Sequence, residues 1–233
     1  MRNAIAREAE AVVLVKKNFI NDFLKQIDEF GLAIKNELKT TEPDLQIRSE
    51  NTEMPEFIID DVSQNKLINA LYAAPHGVMQ MSRDIPNFVE TSTNLASVKL
   101  IENYFLITTS QRSSVASALD DIVNMVAAVF HLIDAEVAHN DGYPGWTPNT
   151  NSEILDIAKN TYQKLFAEEP KVLAVHAGLE CGLIGEKYPG MDMISYGPDI
   201  KGAHSPDERI SISSTARFWD WTLEILKNIP KKS

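Results

Sequence analysis

The chain has 233 residues, 44% hydrophobic and 24% charged, enough for one large domain or two small ones with a buried core. Acidic side chains outnumber basic ones 33 to 22, a formal charge of -11, and no basic run interleaves with aromatics, so nucleic acid and anionic membranes are poor partners. One cysteine, Cys181, permits no internal disulfide and no cysteine-based zinc cluster; without a leader-like apolar start or a stretch of about 18 apolar residues to span a bilayer, the expected compartment is the cytoplasm.

Residues 8–15 are apolar and β-branched enough for a strand, and they begin so close to the start that the chain reads as cut. Phe19, Phe23, Ile27, Phe30, Ile34 and Leu38 recur at helical spacing, and a second strand is expected at 45–47 after the turn residues Glu42-Pro43-Asp44, which makes a β-α-β unit. A helix at 63–74 leads through Pro75-His76-Gly77 into a strand at 78–82. Residues 94–101 and 104–109 read as a hairpin turning at Glu102-Asn103. Val115, Leu119, Ile122, Val126 and Val129 mark the next amphipathic helix, and 132–137 a closing strand. This first part reads as α+β, with helices over one face of a mainly antiparallel sheet.

Residues 140–149, Asn-Asp-Gly-Tyr-Pro-Gly-Trp-Thr-Pro-Asn, are dense in turn formers and place a domain boundary. Beyond them a helix at 152–166, an apolar strand at 172–177, a short helix at 181–186, a strand at 191–196 and a last helix carrying Phe218, Trp221, Ile225 and Ile229 alternate as in a parallel α/β sheet.

Few groups here have the chemistry of a site. His204, in Gly202-Ala203-His204-Ser205-Pro206-Asp207-Glu208, follows a strand of that sheet and reads either as one ligand of a metal site or as a surface loop histidine. Glu208 can orient the imidazole through its second nitrogen, or be a solvated carboxylate. Gly178 follows the other parallel strand, where its N–H can meet an anion at a helix start; the alternative is a glycine needed only for the turn. Arg112, in Ser110-Gln111-Arg112-Ser113-Ser114 just before a helix, has the planar fork for a substrate carboxylate, or no role. Asn3 can donate to and accept from a peptide group, though by itself it signals nothing. Cys181 reads as a small buried hydrophobe and Trp146 as a packing residue.

Taken in order, Arg2-Asn3-Ala4-Ile5-Ala6-Arg7-Glu8-Ala9, Pro75-His76-Gly77-Val78, Glu90-Thr91-Ser92-Thr93-Asn94-Leu95, Gly142-Tyr143-Pro144-Gly145-Trp146, His176-Ala177-Gly178-Leu179-Glu180-Cys181-Gly182 and the His204 motif form a known pattern. The chain resembles the C-terminal half of an aminoacyl-histidine dipeptidase, the Xaa-His dipeptidases of the M20 metallopeptidase group. The resemblance implies a two-zinc catalytic domain split by an inserted lid, hydrolysing carnosine-like dipeptides with metal-activated water. It implies residues 1–142 as the later part of the lid and 143–233 as the returning segment of the catalytic domain. It makes His204 a zinc ligand and Asn3, Arg112 and Gly178 the substrate-binding set, with Glu208 beside His204 as read above.

The family's N-terminal catalytic segment, with the remaining zinc ligands and the general base, and its early lid motif of Gly-Gly-His-Ser-Gly type are absent from this sequence, and Ala6 stands where a proline is usual. The implied partners are a dipeptide, the missing N-terminal segment and a second copy in a homo-oligomer, and the chain alone is expected to be inactive. A catalytically dead lid-type binding or interaction protein, and another M20-type amidohydrolase or tripeptidase, remain the alternatives.

Overall fold

Residues 8–15 and 45–47 have the composition of strands, yet neither joins a ladder in the computed structural model, which describes residues 5–140, 142, 144–146, 149, 151–173, 179–203 and 207–230. A strand is defined by a hydrogen-bonded partner, and β-branched composition supplies only propensity. Val12, Val13 and Leu14 accordingly stay more than half exposed, and the expected β-α-β unit does not form among the described residues.

The chain divides into two units, one of which is Ala6–Lys66. A 3₁₀ turn, Lys17–Phe19, leads into α1, Ile20–Leu38. Its sheltered stripe is Phe23, Ile27, Gly31, Ile34 and Leu38, at three- and four-residue spacing. Gly31 sets the approach of the segment at 45–47: a Cβ there would lie 3.6 Å from the Cβ of Ile47. Phe19 and Phe30, which the sequence pattern counts in the stripe, are 52% and 60% exposed.

The other unit holds Leu67–Ser233 with the first residues of the chain. α2, Asp61–Ala73, of which Leu67 onward belongs to this unit, starts at Asp60, whose Oδ1 accepts the N–H groups of Val62 and Ser63, each at 3.0 Å. Then come β1, Gly77–Met81, β2, Val89–Ile101, and β3, Tyr104–Ser113, an antiparallel sheet in that order. The β2–β3 hairpin turns tightly at Glu102-Asn103, with Glu102 at φ 51°, and a register shift between Leu95 and Ser97 leaves Ala96 as the bulge residue.

The core of this unit lies where α3, Ala116–His131, crosses the sheet. Ile122, Val126 and Phe130 cluster there with Ala70 and Ala74, and Ile107 of β3 packs against them. Each large side chain so buried contributes roughly 1.5–3 kcal/mol.

α3 ends in a Schellman motif with Asp134 in the left-handed region: Ala135 N–H donates to Phe130 O at 3.1 Å and Asp134 N–H to His131 O at 3.0 Å. The strand expected at 132–137 is absent. Its apolar residues Ile133, Ala135 and Val137 instead pack on the core at two-residue spacing without a ladder.

Beyond the connection come α4, Glu153–Phe166, α5, Glu180–Lys187, β4, Ile200–Lys201, β5, Arg209–Ile210, and α6, Ile212–Asn228. α4 and α6 pack through Ala158 and Ile225, each 2% exposed, and through Trp221. The Trp221 indole N–H donates to Ala158 O at 2.9 Å and to Thr161 Oγ1 at 3.2 Å, while its ring meets Tyr162 at 4.9 Å and Tyr196 at 4.8 Å edge-on. Arg217 caps the group, pairing with Glu168 at 2.8 Å over the Phe166 ring.

Residues 191–196, expected as a parallel strand, belong to no ladder; 172 and 173 are outside any strand, and 174–177 lie outside the described residues. The strand pairs among the described residues are antiparallel, so the class is α+β. No helix among them is long and apolar enough to cross a membrane.

Candidate functional site

Two glycines bring three stretches of backbone together. A Cβ on Gly145 would sit 2.8 Å from Ser113 O and 3.0 Å from the Ser114 carbonyl carbon. A Cβ on Gly182 would sit 2.6 Å from Pro144 O. The Pro144-Gly145 stretch is therefore held between the end of β3 and the first turn of α5, at distances that only residues without a side chain allow.

Of the expected substrate groups Arg112 is described: read as lying just before a helix, it is a residue of β3, opposite Ser92 of β2 and next to the Ser113 whose carbonyl Gly145 approaches. It is half-buried, and no hydrogen bond or ion pair engages its guanidinium among the described residues. Its strand continues further than the apolar pattern shows because the ladder there is polar. Thr91 and Ser113 join hydroxyls at 3.0 Å, both buried, and Gln111 Nε2 donates to Thr93 Oγ1 at 3.1 Å. Ser113 Oγ also accepts the Val115 N–H at 3.0 Å, which fixes the exit from β3 toward α3.

Asn3, Gly178 and His204 lie outside the described residues. What flanks them in sequence is described. Gly178 precedes α5 by two residues, and α5 is the helix that Gly182 seats on Pro144. His204 belongs to the loop between β4 and β5, whose ends pair as Ile200 with Ile210 and Lys201 with Arg209. Gly202 opens that loop at φ 66° and Glu208, exposed, closes it just before β5.

Beside the Pro144-Gly145 stretch opens a cleft of about 400 Å³ between Ala116 at the start of α3, Trp146 and Asn149 of the connection, α5, and Met191 with Met193. Trp146 is thus a cleft residue as well as a packing one. Cys181 also lines it, half-buried, and burial pushes its thiol above the ordinary range, which keeps it protonated and weakly nucleophilic near neutrality.

Between the two methionines, Asp192 turns toward α4. Its Oδ2 accepts the Ile154 N–H at 3.0 Å and its Oδ1 the Asn149 side-chain amide at 3.4 Å. The bond from the Ile154 N–H, seconded by Ser152, Asn149 and Glu153, holds this carboxyl below the usual range. Sequence reasoning missed Asp192 because it sits inside an apolar run taken for a strand. The alternation Met191-Asp192-Met193 was its one signal.

The cleft lining is mainly apolar, with Asn149 and Glu186 among its polar side chains, an arrangement suited to a small ligand with an apolar group. Among the described residues no group of three or more His, Cys, Asp or Glu side chains could hold a metal ion, so they do not by themselves fit a metal centre.

The chain is similar to known proteins. Residues 9–228 match peptidase family M20/M25/M40. The chain is 36% identical over 232 residues to the cytosol non-specific dipeptidase of Escherichia coli, an alignment that takes in 100% of this chain and 48% of that protein. The crystal structure of aminoacylhistidine dipeptidase from Vibrio alginolyticus superposes with a TM-score of 0.82 at 34% identity, over 93% of this chain and 44% of that one. Aminopeptidase PepT from Bacillus cereus, at 16% identity and a TM-score of 0.57 over 72% of this chain and 46% of its own, shares the fold. The chain spans about half the length of the curated relative it matches. With the family match running almost from end to end, this chain belongs to peptidase family M20/M25/M40.

Proposed function

We propose that this chain supplies the substrate-carboxylate clamp and one metal ligand of a zinc-dependent dipeptidase acting on Xaa-His and related dipeptides. The observation that carries this reading is the seating of the Arg112 strand end and of α5, the helix that follows Gly178, on the same Pro144-Gly145 stretch. A charged fork and a backbone N–H meeting one carboxylate is a common way to fix the C-terminal end of a short peptide. The relatives named for dipeptidase activity support the substrate class.

In this reading residues 1–142 belong to a lid and 143–233 to the catalytic domain, with Asn3 on the peptide group. His204 is a zinc ligand oriented by Glu208, and the other ligands and the general base come from the part of the relatives that this chain does not span. When bound, zinc supplies Lewis-acid activation of the attacking water. The chain's own residues hold the substrate carboxylate and exclude water around the side chain. The E. coli relative's name, cytosol non-specific dipeptidase, supports a cytosolic compartment in this reading.

The test is dipeptide hydrolysis in the enzyme completed by that remaining half. Hydrolysis of an Xaa-His dipeptide with zinc, weakened by Arg112→Ala by roughly 2–5 kcal/mol as a buried carboxylate loses its partner, is the expected result. A kcat/KM untouched by R112A refutes the clamp. Absence of hydrolysis in the completed, zinc-loaded protein refutes the dipeptidase.

A further inference from the structure

The cleft has one wall that no strand ladder holds. Its α5 side is fixed by Gly182 against Pro144, and its connection side by Gly145 against Ser113. The wall formed by Met191 and Met193 follows α5; Met191 N–H donates to Tyr188 O at 3.1 Å at one end and Tyr196 packs on α6 beyond it, and between them the bonds across to Asn149 and α4 come from Asp192. That carboxylate reaches Asn149, which lines the other side of the same cleft, and the Ile154 N–H in the first turn of α4.

We propose that Asp192 is a positioning residue: by latching the Met191–Met193 wall to Asn149 and to the start of α4, it fixes the width of the cleft for an apolar substrate side chain. The lining fits that ligand class, since Trp146, Met191, Met193, Pro144 and Ala116 present mostly apolar surface, and thioethers adapt to flat or branched groups alike. The latch suits its task. A carboxylate accepting a free N–H at a helix start is favoured both by the bond and by the helix dipole, and no cation is needed to hold it. Its lowered proton affinity agrees, the Ile154 N–H being the largest cause.

The substrate half of this inference rests on the proposed dipeptidase; the latch itself does not, because Cys181 lines the same cleft and is the chain's one cysteine. The rate at which a bulky maleimide labels Cys181 in the purified chain therefore reads the width of the cleft directly. Asp192→Ala is expected to speed labelling about fivefold, the change that losing one net hydrogen bond makes to a local opening equilibrium, while Asp192→Glu, which keeps the carboxylate, stays nearer the parent rate. Asn149→Ala, which removes the longer bond, gives a smaller increase.

Ile225→Val, which loosens the buried α4–α6 contact at a residue outside the cleft lining, is the control for general destabilisation. A labelling rate unchanged by D192A, or raised equally by I225V, overturns the proposal. In the completed enzyme D192A is expected to raise KM for dipeptides with apolar side chains and leave kcat near the parent value; a fall confined to kcat overturns it as well. Failure of that enzyme to hydrolyse any dipeptide counts against the proposed function, and the thiol measurement on this chain still decides the latch.

Discussion

Two glycines three residues apart on α5 are expected to respond in opposite directions to the same substitution. Replacing glycine by alanine inside a helix ordinarily stabilises it by roughly 0.5–1 kcal/mol, because glycine loses more backbone freedom on folding. At Gly185 that gain is realised. The nearest atom to a new Cβ is the Met193 methyl at 3.3 Å, the free end of a flexible side chain. At Gly182 the new Cβ meets Pro144 O at 2.6 Å, below the 3.0 Å that such contacts respect, and a backbone carbonyl cannot rotate away.

Overpacking of this kind costs about 2–3 kcal/mol, which outweighs the propensity gain and leaves Gly182→Ala roughly 1–2 kcal/mol less stable. For a chain of this length that lowers Tm by about 2–8 °C, while Gly185→Ala raises it by about 1–4 °C. Thermal melts followed by circular dichroism, with reversibility checked on reheating, measure both. Equal and positive shifts for the two variants would show that Pro144 does not rest on α5, and the assembly of the cleft from the connection and that helix would fall with it.

Trp221→Phe removes the indole donor to Ala158 O and Thr161 Oγ1; Thr161 still donates to Ala158 O at 3.0 Å, so the cost stays at about 1–2 kcal/mol, measured by urea unfolding, and no loss would mean that the indole bonds contribute nothing net. Ala167 ends α4 at φ 52°, exposed, where a side chain is strained, and Ala167→Gly is expected to stabilise by up to about 1 kcal/mol; destabilisation in the same assay refutes the left-handed cap. Asp192 has a depressed folded pKa, so its contribution is complete above the ordinary carboxylate value near 3.9 and is lost as pH falls through the lower folded value. Asp192→Asn should therefore be less stable than the parent at pH 6 and converge on it in strong acid; parallel curves over that range would contradict the assignment.

The helices were legible because each carries its own proof, an apolar stripe at three- and four-residue spacing, as Leu119, Ile122, Val126 and Val129 show in α3. The strand expected at 78–82 is β1, and the hairpin was legible because Glu102-Asn103 brings β2 and β3 adjacent. Residues 8–15, 45–47, 132–137 and 191–196 share the composition of strands, but whether a partner lies alongside is a property of the fold and is not written in the segment itself. The opposite error occurred at Arg112. Ser110-Gln111-Arg112-Ser113 looks like a loop by polarity, and is a strand because Thr91 and Thr93 across from it bond to it through side chains as well as backbone. Of the described site, Arg112 was visible in the sequence as a possibility, while Gly145 and Gly182 stood there only within the turn-rich connection and a motif, with no sign of the backbone they approach. The sequence hid Trp146, Asn149 and Asp192, whose parts depend on segments distant in the chain that meet around one cleft.

The neck of the loop that carries His204 is closed twice. Below the β4–β5 pair, Ser211 N–H donates to Asp199 O at 3.0 Å, Asp199 N–H donates to Ser214 Oγ at 2.9 Å, and Ser211 Oγ accepts the Ser214 N–H at 3.2 Å, so the neck and the first turn of α6 form one ring of bonds. A loop fastened in this way is a cassette. Its interior can be lengthened or rewritten at an entropic cost that grows only slowly with length, while α6 and the packing behind it keep their register. A change made between Lys201 and Arg209 is thus insulated from the helix behind it, and its effect on binding can be read apart from its effect on the fold.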